Sequence, residues 1–74
     1  MNYFEVYRDV WNYHKKLIDK ISTEQEYWDV VINEAVAIVK KYANSVFVIN
    51  LLLNEIDEFE RICREMTLYA NRGV

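Results

Sequence analysis

Four features of this sequence could carry chemistry: the only histidine, His14; the only cysteine, Cys63; the carboxylate of Glu34; and the acidic group Glu55, Asp57, Glu58 and Glu60. His14 falls between Val10 and Leu17 on an apolar stripe, a position open to a general base or a metal ligand. Base catalysis needs a partner that orients the ring, and no motif supplies one. The favoured reading is a boundary histidine whose ring packs while one nitrogen finds a hydrogen bond. A zinc site needs several Cys or His ligands, and one of each at distant positions is no signature. Cys63 could be a nucleophile, but it occupies an apolar helical position where free cysteine behaves as a small hydrophobe. Glu34 borders an apolar arc beside Tyr27 and Ile38, and one carboxylate does not make a site. A small enzyme or metal protein built on His14, Glu34 or Cys63 is therefore a remote alternative. No catalytic residue, metal or cofactor is expected. The four acidic residues point several ways round one helix and alternate with Arg61 and Arg64, the pattern of a solvated, ion-paired face.

The elements that would position these groups follow from composition and period. The chain has 74 residues, 53% of them apolar and 15% aromatic, with no Pro and a single glycine, Gly73. That length is one domain, 1–74, and the scarcity of turn residues excludes a strand-rich fold. The net charge of −3 argues against a surface built for nucleic acid or anionic membrane. A lone cysteine forms no internal disulfide and suits a reducing cytoplasm. The N-terminus lacks a basic region followed by an apolar block, and no apolar run approaches the ~20 residues that span a bilayer. Without glycines there is no phosphate-cradling loop. The expectation is a soluble cytoplasmic protein that engages neither membrane, nucleic acid nor a small-molecule substrate.

The pattern predicts an all-α three-helix bundle with helices over about 3–21, 24–43 and 46–70. Asn2 can cap the first while Glu5 reaches back, and its apolar half holds Tyr3, Tyr7, Val10, Leu17 and Ile21, with Phe4, Trp11 and Ile18 alongside. Ser22 with Gln25, and Thr23 with Glu26, have capping-box spacing before the second helix, whose core stripe reads Trp28, Val31, Ile32, Ala35, Ile38, Val39 and Tyr42. Asn44-Ser45 forms the next break, since Asn tolerates the left-handed conformation and Ser caps. The third stripe is Ile49, Leu52, Ile56, Phe59, Cys63, Met66 and Ala70. On the outer side Asp57 with Arg61, Glu60 with Arg64 and Arg61 with Glu65 are one turn apart. Residues 71–74 read as a helix stop and a frayed tail.

The third helix is the longest and the misfit. Val46, Phe47, Leu51 and Leu53 lie off its stripe, as do Leu68 and Tyr69, and Val30 lies off that of the second helix. Apolar surplus of this kind marks a contact surface. The expected partner-binding residues are Val46, Phe47, Leu51, Leu53, Glu55, Asp57, Glu58 and Glu60, and the partner is another protein or a second copy, as in a homodimer that completes the bundle.

Tyr7-Arg8-Asp9-Val10-Trp11 with His14-Lys15-Lys16, Glu26-Tyr27-Trp28 with Val31-Ile32-Asn33-Glu34-Ala35, Lys40-Lys41-Tyr42, and Leu51-Leu52-Leu53 with Ile56-Asp57-Glu58-Phe59-Glu60-Arg61 together carry a family resemblance. Over about two thirds of its length the chain resembles short uncharacterised helical proteins encoded in prophages and mobile elements of Gram-positive gut bacteria. The shared motifs are packing motifs and bring no active site. The resemblance implies a non-enzymatic accessory factor that binds, and inhibits, a host protein such as a defence effector, a CRISPR nuclease for example. If that target binds nucleic acid, Glu55, Asp57, Glu58 and Glu60 are placed to face its basic groove. The alternative is a structural, homo-oligomerising helical module without an inhibitory role.

Overall fold

The computed structural model describes residues 1–72, with side chains as far as Leu68. Three helices, α1 (Tyr3–Ile18), α2 (Gln25–Lys41) and α3 (Val46–Arg72), form an all-α three-helix bundle in which each helix packs on both others. None of the helices among the described residues is long and apolar enough to cross a membrane.

The side chain of Asn2 caps α1 as expected, accepting from the Glu5 N–H at 3.1 Å. The face that α1 buries matches the expected one only in part: Val10 and Leu17 lie inside as expected, but Phe4 stays exposed. Val6, Val10, Tyr13 and Leu17 are buried, whereas Tyr3 and Tyr7 are 58% and 54% exposed. An apolar arc of half a circumference holds two possible stripes, and the bundle takes the one rich in aliphatic residues. Tyr13 can enter because its hydroxyl donates to the Val31 carbonyl at 3.0 Å, which satisfies its polar end. The helix also stops at Ile18, short of Ile21, which remains buried within the connecting loop.

The capping boxes expected before α2 do not form. Glu24 is the N-cap without a side-chain bond, and Ser22 Oγ instead accepts from the Glu24 N–H at 3.0 Å. The loop has its own anchors: Trp28 Nε1 donates to the Ser22 carbonyl at 2.9 Å, and the Cys63 thiol donates to the same oxygen at 3.7 Å. Within α2, Val31 and Ala35 are buried. Ile32, expected in the core, is 49% exposed, because a residue next to Val31 is turned about 100° from the line that faces both neighbours.

The α2 C-terminus closes as a Schellman motif, with the Asn44 N–H on the Val39 carbonyl at 2.9 Å and the Ala43 N–H on that of Lys40 at 3.1 Å. Ala43 and Asn44 have φ of 53° and 60°. Asn44 meets the expectation, while Ala43 occupies the position that ordinarily takes glycine.

Helix α3 buries Val48, Leu52 and Phe59. At 27 residues against 16 and 17, it is about 40 Å long and its neighbours about 25 Å, so the molecule measures 50 × 20 × 18 Å. Beyond Phe59 nothing described is fully buried. Met66, expected in the core, is exposed because it lies past the ends of α1 and α2. The side chains of Tyr69 and Ala70, and the expected tail at Gly73 and Val74, fall outside the described residues. The helix continues through Arg72.

Candidate interaction surfaces

Helix α3 does not hold its eight expected partner-binding residues on one face. On a wheel of 100° per residue, Leu51 and Leu53 are about 160° apart. Phe47, Leu51, Glu55 and Glu58 share the flank toward α1, Val46, Leu53 and Glu60 share the opposite flank, bordering α2, and Asp57 stands at the outer edge of that flank, beside Asn54 and Arg61. Phe47 and Leu51 are half-buried against the core, while Val46 and Leu53 are 71% and 52% exposed. The sequence already contained this division in the spacings 47-51-55-58 and 46-53-57-60.

On the α1 flank the surface is aromatic. Tyr3, Tyr7 and Trp11 occupy successive turns of α1, and each is more than half exposed. Phe47 braces the first two edge-on, with ring centroids 5.1 Å from Tyr3 and 5.9 Å from Tyr7. Trp11 stacks on His14 at 5.6 Å with 14° between the planes, and Lys15 Nζ lies 5.7 Å from the Trp11 ring centroid. Below that stack, His14 Nδ1 is 2.6 Å from Glu55 Oε2. A carboxylate only accepts, so Nδ1 carries the proton of this bond. The ring also lies 6.0 Å from that of Phe59. His14 is thus the packed, hydrogen-bonded boundary residue expected from its position.

Glu58 is taken up by Arg61, whose Nε and Nη2 each donate at 2.7 Å, and the hydrogen bonds hold its carboxyl below the usual range. Arg61 also reaches Glu65 at 2.7 Å. The expected pairs Asp57–Arg61 and Glu60–Arg64 do not form: the Arg61 guanidinium is occupied by Glu58 and Glu65, and Asp57 and Glu60 make no ion pair among the described residues.

Charged groups bind α1 to α2. Asp9 Oδ2 accepts from Lys41 Nζ at 2.7 Å and from the Tyr42 hydroxyl at 2.5 Å. These bonds, that of Lys41 first, hold the Asp9 carboxyl below its ordinary range. Lys16 pairs with Glu34, and Lys41 also lies 3.3 Å from Glu5. His14, Glu34 and Cys63 therefore each engage a different partner, Glu55, Lys16 and the Ser22 carbonyl. They do not converge on a site. Among the described residues no group of three or more His, Cys, Asp or Glu is arranged to hold a metal ion.

The α2–α3 flank is aliphatic. Ile32, Val36 and Leu53 stand exposed along a groove of about 250 Å³ floored by Ala35 and Leu52, with Lys40 at its rim. Reading residue types alone placed Ile32, Tyr3 and Tyr7 inward and passed over Val36, so both surfaces were incomplete at that level.

A scan against protein-family models, a search of the curated proteins and a search of the solved structures each match nothing.

Proposed function

We propose that this chain is a non-enzymatic protein–protein interaction module, an accessory factor of a mobile element that binds a host protein and inhibits it. The observation that carries the reading is the exposed ridge Tyr3–Tyr7–Trp11, with Phe47 behind it. Interface energy concentrates on Trp, Tyr and Arg anchors, which offer large apolar area with few rotatable bonds and a polar tip. In a monomer with an ordinary core such rings are drawn inward, and here three on consecutive turns remain outside. Arg8 and Lys15 on α1, and Glu55 and Glu58 on α3, flank the ridge and supply a mixed polar rim. Asp57 and Glu60, which make no ion pair among the described residues, add acidic surface suited to a basic target. The prophage and defence context rests on the family resemblance alone.

The test is affinity capture from Gram-positive host lysate with the full chain, run in parallel with the double substitution Tyr7→Ser, Trp11→Ser. The reading predicts a host protein held in fixed ratio by the native chain and lost by the doubly substituted one, whose helical circular dichroism is unchanged. Equal recovery by both chains, or no specific recovery by either, would contradict it.

A further inference from the structure

The charges of the three interhelical seams are used unequally. At α1–α2, Lys16 pairs with Glu34 and Lys41 with Asp9 and Glu5; at α1–α3, His14 pairs with Glu55. At α2–α3 no ion pair crosses the seam among the described residues, although charges border it. Lys40 stands at one end of the Ile32–Val36–Leu53 face; by helical spacing Asp29, Asp57 and Glu60, with Arg64 among them, stand toward the other and leave that end net acidic. Because α2 and α3 run antiparallel through a short link, Lys40 lies level with Ile49, which lines the same groove. Asp57 is then about 12 Å and Glu60 about 17 Å further along, at 1.5 Å per residue. Leu53 falls midway between the basic and acidic ends, with Val36 opposite it across the groove.

A face that is apolar at its centre, basic at one end and acidic at the other is complementary to itself after a half-turn about its midpoint. We infer that the α2–α3 face docks a second copy of this chain about a two-fold axis near Leu53 and Val36, so that Lys40 of each copy meets Asp57 and Glu60 of the other. Two helices side by side, about 20 Å wide over the ~25 Å of α2, offer about 500 Å² per copy. The pair then buries about 1,000 Å², at the lower bound for a specific interface, which makes the dimer concentration-dependent and readily dissociated. The inference shares Asp57 and Glu60 with the proposed function but not the Tyr3–Tyr7–Trp11 ridge that carries it, so each can fail without the other.

Sedimentation velocity on the full chain from about 1 µM to about 1 mM, spanning weak to moderate affinities, tests it. A reversible monomer–dimer transition is expected. Leu53→Asp and, separately, Val36→Asp shift its midpoint at least about tenfold upward in concentration, because each sets two carboxylates against each other near the axis. Lys40→Glu weakens the dimer, and combining it with Asp57→Lys and Glu60→Lys restores it, since all ends are then reversed together. Trp11→Ser leaves the transition in place. A strict monomer across the whole range would overturn the inference, whether or not another protein is found to occupy the groove. So would a dimer indifferent to both aspartate substitutions, or one that Trp11→Ser abolishes.

Discussion

His14 Nδ1 and Glu55 Oε2 lie 2.6 Å apart across the α1–α3 seam, both in part-buried side chains, with Trp11 stacked on the imidazole. One bond thus joins the helix carrying the aromatic ridge to the helix that supports it. Replacing Glu55 by Ala leaves the ring nitrogen without its acceptor and should cost about 1–2 kcal/mol, toward the lower part of the range for hydrogen bonds to charged groups because water reaches the pair. Glu55→Gln keeps an acceptor and should cost less. Urea midpoints of the three chains, compared at constant slope, check the order.

Acid should loosen the α1–α2 seam. The Asp9 carboxyl is held below its ordinary range by Lys41 and then Tyr42, so the unfolded chain takes up the Asp9 proton at a higher pH than the folded one does. The corresponding stability is complete above the unfolded value of about 4 and is lost as pH falls through the lower folded value. Asp9→Asn, which removes that titration, should flatten the acid limb of a stability-versus-pH curve. An acid limb of the same slope in the substituted chain would contradict the assignment.

At the other end of the scale, the buried phenol of Tyr13 and the half-buried one of Tyr27 should resist ionisation. Desolvation pushes Tyr27 up to about 12 and Tyr13 higher still, and their hydroxyls donate to the Leu17 and Val31 carbonyls. The folded state therefore retains these protons above the unfolded value of about 10. The stability they contribute is complete below that pH and declines as pH rises through the folded values. Phenolate absorbance should report Tyr13 ionising only with alkaline unfolding. Tyr13→Phe should lower stability by about 1 kcal/mol through the lost hydrogen bond.

Ala43 holds φ at 53°, where an L-residue is disfavoured by about 1–2 kcal/mol. Ala43→Gly removes that penalty but adds entropy to the unfolded chain, so a net gain of about 0.5–1 kcal/mol is expected. A rise in melting temperature with unchanged helicity is the readout. A fall would mean that the backbone there is not strained.

The three helices were legible because each holds its period for many residues and the breaks carry recognisable turn chemistry, Asn44 above all. Which side of α1 faces inward was not legible. Val6 and Tyr13 compete with Tyr3 and Tyr7 on equal terms until the Val31 carbonyl meets the Tyr13 hydroxyl, a contact between residues 18 apart. The capping boxes before α2 fail for a related reason: the Ser22 hydroxyl accepts from the Glu24 N–H, and its carbonyl accepts from Trp28 and from Cys63, which no local pattern announces. The run Val46 to Leu53 was legible as apolar surplus, and the wheel splits it into two flanks. Only the neighbours tell that one flank is aromatic and the other aliphatic.

The central claim is that the ridge on α1 is a protein-binding surface. It is tested most directly by titrating the host protein recovered by the native chain against three purified chains: native, Trp11→Ala and Leu53→Ala. The account predicts that Trp11→Ala weakens binding by roughly 30-fold, a loss of about 2 kcal/mol as for an aromatic anchor, while Leu53→Ala binds like the native chain. Native affinity in Trp11→Ala, or a loss confined to Leu53→Ala, would contradict it.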